Sequence, residues 1–318
     1  MGNWELNSSS NSSVTQLVEE EERQPLLSQQ NNNKLISSSS SYAKFNNPVD
    51  DISTAPKTRC ATIISYFQRF RKTHREFLAE FIGTMILVLL LCGVAAEETL
   101  FATNSHKSWL TSSIGSGLAV LIAICVSGHV SGAHLNPAIT LTFSVFSGFP
   151  IHKVPIYIAA QCSGAFVGAA VLYILIQPAL TNFDHGERQI LGEFGTAGIF
   201  GTYAPPHVTL GTAVASEMVG TALLLLIVMV SGHPNNLPFK RAQGIMVAVG
   251  IMILVMSLGY TSGFSLNPAR DFGPRLFTAI AGWGMDVFWI NGYYAIVPLI
   301  APLLGGLVGG FVYILFID

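Results

Sequence analysis

The chain alternates between long apolar runs and short polar breaks. Runs of about 20 apolar residues cover 77–97, 111–130, 154–176, 211–231, 242–260 and 292–316. Each is long enough to cross a bilayer as a helix, so six transmembrane helices are predicted. Two shorter apolar pieces, 137–147 and 268–278, are too short to cross. Each opens on the same tripeptide, Asn136-Pro137-Ala138 and Asn267-Pro268-Ala269. One such tripeptide alone is an ordinary helix start, with Asn as N-cap and Pro in the first turn. Two of them inside apolar surroundings demand more, because non-helical backbone at membrane depth must be buried in protein or line a wet cavity. The two pieces are therefore predicted to be re-entrant half-helices beside a pore.

The pattern also repeats. Ser131-Gly132-Ala133-His134-Leu135 precedes the first tripeptide and Ser262-Gly263-Phe264-Ser265-Leu266 the second, while Ala79-Glu80-Phe81-Ile82-Gly83-Thr84 and Ser216-Glu217-Met218-Val219-Gly220-Thr221 open the two sets of three spans. Three is odd, so the second set runs in the opposite sense: an inverted repeat of about 76–178 and about 211–318. The half-helices then enter from opposite faces with both positive dipole ends at the midplane, where they repel cations. The Asn136 and Asn267 amides add donors for a neutral solute. The predicted fold is an all-α membrane protein built as an inverted-repeat hourglass channel.

Composition agrees. Half of the 318 residues are hydrophobic, 11% are charged and mean hydropathy is +0.51, which a soluble domain rarely shows. Of the 34 charged residues, 17 lie before position 77, so residues 1–75 read as a disordered tail and 76–318 as the channel domain. The tail is Ser/Asn/Gln-rich and too poor in apolar residues to offset chain entropy. With no apolar run near Met1, the first span is the expected insertion signal. Lys57, Arg59, Arg69, Arg71, Lys72 and Arg75 precede the first span and place both termini in the cytoplasm by the positive-inside rule. Glu22 with Leu26 and Leu27 matches an acidic dileucine sorting signal, read by adaptor proteins on the way to a plasma, endosomal or vacuolar membrane.

Cys60, Cys92, Cys125 and Cys162 have no metal-type spacing and call for no disulfide. Neither a nucleophile with its base nor a phosphate loop is apparent. The sequence predicts no enzyme, cofactor, metal or nucleic-acid partner. Glu80 and Glu217 are costly in lipid and need partners, which the loop backbone and hydroxyls can supply. Arg270 offers a permanent positive charge beside the second tripeptide, and a pairing with Asp271 is its bland alternative.

Together the two boxes, Ser-Gly-Ala-His-Leu-Asn-Pro-Ala and Gly-Phe-Ser-Leu-Asn-Pro-Ala-Arg-Asp-Phe-Gly-Pro, resemble those of the major intrinsic protein (aquaporin) family over residues 76–317. The resemblance implies a homotetramer in the lipid bilayer with one pore per subunit, passing water and small neutral solutes and excluding protons and ions. It also assigns loop support to Glu80, Glu217, His134 and Asp271. Asp271, Arg275, Pro298 and Leu299 resemble the aquaglyceroporin branch, whereas Ile176 departs from it. Counting from the boxes, the implied selectivity filter is Ser116, Val255, Phe264 and Arg270. Ser116 stands where glycerol channels carry an aromatic wall and Val255 where strict water channels carry His. The expected solutes are water, glycerol, urea and hydrogen peroxide. A mainly water-selective channel is the alternative; an ion-coupled secondary transporter, with Glu80 or Glu217 as coupling group, is the distant one.

Overall fold

The computed structural model describes residues 59–101 and 108–318. The dileucine residues Glu22, Leu26 and Leu27 lie outside them. Eight α-helices of ten or more residues organise the described chain: α1 Arg59–Ala96, α2 Trp109–Ser131, α3 Pro137–Phe146, α4 Val154–Phe183, α5 Leu210–Gly232, α6 Gln243–Leu258, α7 Pro268–Thr278 and α8 Ile296–Phe316. Each coincides with an apolar run or half-run, and no β-strand occurs among the described residues.

Several boundaries differ from the predicted spans, among them the end of α4, which runs on to Phe183 where 176 was expected. Helix α1 begins at Arg59, inside the segment assigned to the tail, and is interrupted at His74 (φ −109°, ψ 20°). Below that break the helix is polar enough to escape a hydropathy reading. Helix α8 starts at Ile296 instead of 292, because Asn291, Gly292 and Tyr293 all have positive φ. Five of the six expected spans are long and apolar enough to cross a membrane; α6 is shorter, at 16 residues, or about 24 Å. Its last turn closes on the Val255 carbonyl, which accepts from the Gly259 N–H and also from the Trp109 indole N–H at 2.9 Å.

Close helix packing follows the repeat. A Cβ on Gly164 of α4 would sit 2.2 Å from the Phe81 carbonyl oxygen of α1, and one on Gly168 would sit 2.5 Å from that of Met85. In the second half, Gly305 and Gly309 of α8 would meet the Met218 and Ala222 carbonyls of α5 at 2.3 and 2.4 Å. The same small-residue spacing of four brings two backbones together in both halves, as membrane helices pack in the absence of a hydrophobic driving force. Phe81 and Met218 each follow the glutamate of their repeat, so this contact also sets where Glu80 and Glu217 lie.

The candidate pore

Each glutamate braces the loop ahead of a half-helix. Glu80 Oε1 accepts from Ser131 Oγ (2.6 Å) and the His134 N–H (2.9 Å), and Oε2 from the Leu135 N–H (2.7 Å) and Gln161 Nε2 (2.8 Å). Glu217 Oε1 accepts from Ser262 Oγ (2.7 Å) and the Ser265 N–H (2.8 Å), and Oε2 from the Leu266 N–H (2.8 Å). Both carboxylates are completely buried, a position tenable only with such partners. The loops need the brace. Gly132 and Gly263 open them at φ 86° and 72°, but Ala133, Leu135, Phe264 and Leu266 also lie at positive φ, a region costly for residues with a Cβ.

At the end of each brace the two tripeptides meet. Asn136 Nδ2 donates to the Leu266 carbonyl and Asn267 Nδ2 to the Leu135 carbonyl, both at 2.8 Å. Asn136 Oδ1 caps α3 by accepting from the Ala138 N–H, and Asn267 Oδ1 caps α7 by accepting from those of Ala269 and Arg270. Pro137 and Pro268 occupy first-turn positions that need no donor, and Ala138 and Ala269 are fully buried. The caps fix which end of each amide is nitrogen. One hydrogen of each amide is thus spent across the repeat interface, and one remains.

A cavity of about 550 Å³ runs past this junction, with Trp109, Tyr203, Phe143, Val228 and Gln243 in its lining. Ser116, Val255, Phe264 and Arg270 all line it, as do Asn136, Asn267 and His134. Phe264 is mostly buried against α5, where a Cβ on Gly220 would lie 2.5 Å from its ring. Arg270 donates one guanidinium N–H to the Phe200 carbonyl at 3.2 Å.

The expected alternative for Arg270, an ion pair with Asp271, is not formed. Asp271 instead bonds Arg275 (Nε to Oδ1, 2.6 Å) and accepts from the Thr202 N–H and hydroxyl, each at 2.7 Å. Arg275 completes its donors on the carbonyls of Val287 and Thr202 and lies under the Tyr203 ring, 4.5 Å from its centroid. With Asp271 committed there, Arg270 belongs to no ion pair among the described residues. Asp271, Arg275, Pro298 and Leu299 are absent from the cavity lining. Asp271 and Arg275 tie α7 to the 200–203 loop through Thr202, and Pro298 is buried in α8.

His134 is buried beside the first half-helix. Its Nδ1 is 3.1 Å from Thr140 Oγ1, and its ring packs on Phe143, Phe149 and Tyr157. Gln161, Thr202 and Trp109 carry no motif and escaped the sequence reading. Only the helical spacing of Trp109 to Ser116, seven residues on one helix face, offered a hint.

Six apolar helices arranged as two inverted halves, with two half-length helices abutting at a polar junction inside a long cavity, define a multi-pass membrane channel. Family comparison agrees: residues 68–313 match the model of the major intrinsic proteins, and the chain belongs to that family, whose members are channels for water and small solutes and not enzymes. It is 66% identical over 269 residues to "Aquaporin-2" of Rhizopus delemar, covering 85% of this chain and 84% of that one. It is 44% identical over 264 residues to "Aquaglyceroporin-2" of Rhizophagus irregularis, covering 81% and 83%. The aquaglyceroporin of Plasmodium falciparum, solved by X-ray crystallography, superimposes with a TM-score of 0.69 at 33% identity, over 76% of this chain and 96% of that one.

Proposed function

We propose that this channel is of the glycerol type, passing water and small uncharged solutes such as glycerol, urea or hydrogen peroxide. One observation carries the reading: Ser116, Val255, Phe264 and Arg270 line a single cavity in which the only charged group of the four is unneutralised by a carboxylate. Carbon meets Val255 and Phe264, while solute oxygens meet Arg270, which also opposes cations. The relatives named as aquaglyceroporins support this reading. The Rhizopus relative, named as an aquaporin, is the ground for the mainly water-selective alternative.

Proton exclusion follows from the same geometry. Helices α3 and α7 bring about half a positive charge each to the Asn136–Asn267 junction, and the remaining amide hydrogens there orient a permeating water outward. A coupled transporter is disfavoured because Glu80 and Glu217 are buried, use both oxygens on the loop N–H groups and do not line the cavity. Assembly as a homotetramer and cytoplasmic termini complete the proposal, resting on the family and on the basic cluster before the first span. The tail's adaptor signal stays a reading of its sequence.

Stopped-flow light scattering on proteoliposomes tests it: fast shrinkage in an impermeant osmolyte together with fast re-swelling in glycerol is expected. Fast shrinkage without re-swelling would establish the water-selective alternative. Because Trp109 lines the same cavity and is hydrogen-bonded to Val255, it supplies from two turns away the aromatic surface that Ser116 lacks. Trp109→Ala should therefore raise urea flux relative to water.

A further inference from the structure

The first turns of the described channel unit lie outside the bundle and have a chemistry of their own. Tyr66, Phe67 and Phe70 are 69%, 62% and 46% exposed. At spacings of one and four they share one helix face, and their ring contacts are local, Tyr66 with Phe67 and Phe70 with His74. Arg69, Arg71, Lys72 and Arg75 are also exposed and fall on both flanks of that aromatic stripe. Residues 66–75 contain no carboxylate. The next residue, Glu76, is occupied by Lys153 at 2.8 Å.

The break at His74 separates this segment from the span that follows, so the two parts need not share an axis. Glu76, held by Lys153 and by the Tyr157 hydroxyl at 3.3 Å, fixes the point from which the segment departs. An aromatic stripe flanked by cations, about 12 Å long and joined directly to a membrane span, matches the requirements of a helix lying in the headgroup layer.

We propose that residues 66–73, up to the break at His74, form an interfacial helix that seats Tyr66, Phe67 and Phe70 at the acyl boundary and binds the phosphates of anionic lipids through Arg69, Arg71 and Lys72, with Arg75 just past the break adding to the same charge. The partner is the lipid headgroup of the channel's own bilayer. Net positive charge on both flanks selects anionic over zwitterionic lipid, and the stripe selects a bilayer over a free phosphate.

The test is amide hydrogen exchange of residues 66–73 in the full-length protein, held in nanodiscs of phosphatidylcholine alone or with added phosphatidylserine. Slowing on the order of tenfold or more is expected in the anionic discs. It should vanish in the variant Arg69→Gln, Arg71→Gln, Lys72→Gln, Arg75→Gln and weaken in Phe67→Ser, Phe70→Ser. Equal exchange in the two lipids would overturn the proposal, as would slowing that survives charge removal. Full protection in lipid-free detergent would overturn it too, since the cover would then be another part of this chain or a second copy.

Discussion

Replacing Glu217 by Ala isolates what holds the second loop in its left-handed conformation. The substitution strands the N–H groups of Ser265 and Leu266 in a buried site, while Ser262 Oγ keeps the Phe264 N–H as donor. Each orphaned backbone donor costs about 1–3 kcal/mol, and removal of the buried carboxylate returns part of that as lost desolvation. The net loss is about 2–5 kcal/mol. That corresponds to a fall on the order of 10 °C in the apparent midpoint of the detergent-solubilised protein, measured by size exclusion after heating. Glu217→Gln gives an intermediate loss, because the amide oxygen can keep Ser262 and Ser265 while its nitrogen faces the Leu266 N–H. Water permeability per inserted protein should fall in the same order, since the Leu266 carbonyl is the acceptor that positions Asn136. Glu217→Ala with wild-type midpoint, within about 0.5 kcal/mol, and wild-type permeability would refute the reasoning.

Ser116→Trp should narrow the cavity and reduce urea flux more than water flux in the stopped-flow assay; equal loss of both in well-folded protein would contradict the filter assignment. Arg270→Val removes the cavity's unpaired cation and should admit larger or charged solutes, read as ion conductance across a planar bilayer; unchanged selectivity would place Arg270 away from the constriction. Asp271→Ala leaves the buried Arg275 guanidinium without its counter-charge and should cost about 3–5 kcal/mol, seen as loss of monodisperse protein. The double variant Asp271→Ala, Arg275→Met should recover most of that.

Much of this architecture is legible in one dimension. The apolar runs predict where the helices lie, though not the polar start of α1 or the last two turns of α4, since lipid leaves a backbone little choice but helix. Duplicated Asn-Pro-Ala boxes mark α3 and α7 to the residue, because Asn and Pro are the chemistry of a helix start. Where the pattern carries no hydrophobic signal the reading fails, as at the start of α1, where basic and aromatic residues alternate at helical spacing. It fails again at α8, whose onset is set by the positive φ of Asn291, Gly292 and Tyr293.

By itself the sequence determined the class of protein, the inverted repeat and the two boxes that open the half-helices, all of which depend on local chemistry and spacing. Only the tertiary structure decided who partners whom: that Asp271 takes Arg275 and leaves Arg270 to the cavity, that each Asn amide crosses to the other repeat, and that Trp109 stands over Val255. Asp271 and Arg275 stand four apart on one helix and their pairing is a spacing the chain allows, but the other pairings join residues 130 to 146 positions apart, and no spacing rule along the chain encodes which of several eligible donors and acceptors the packed helices bring within 3 Å.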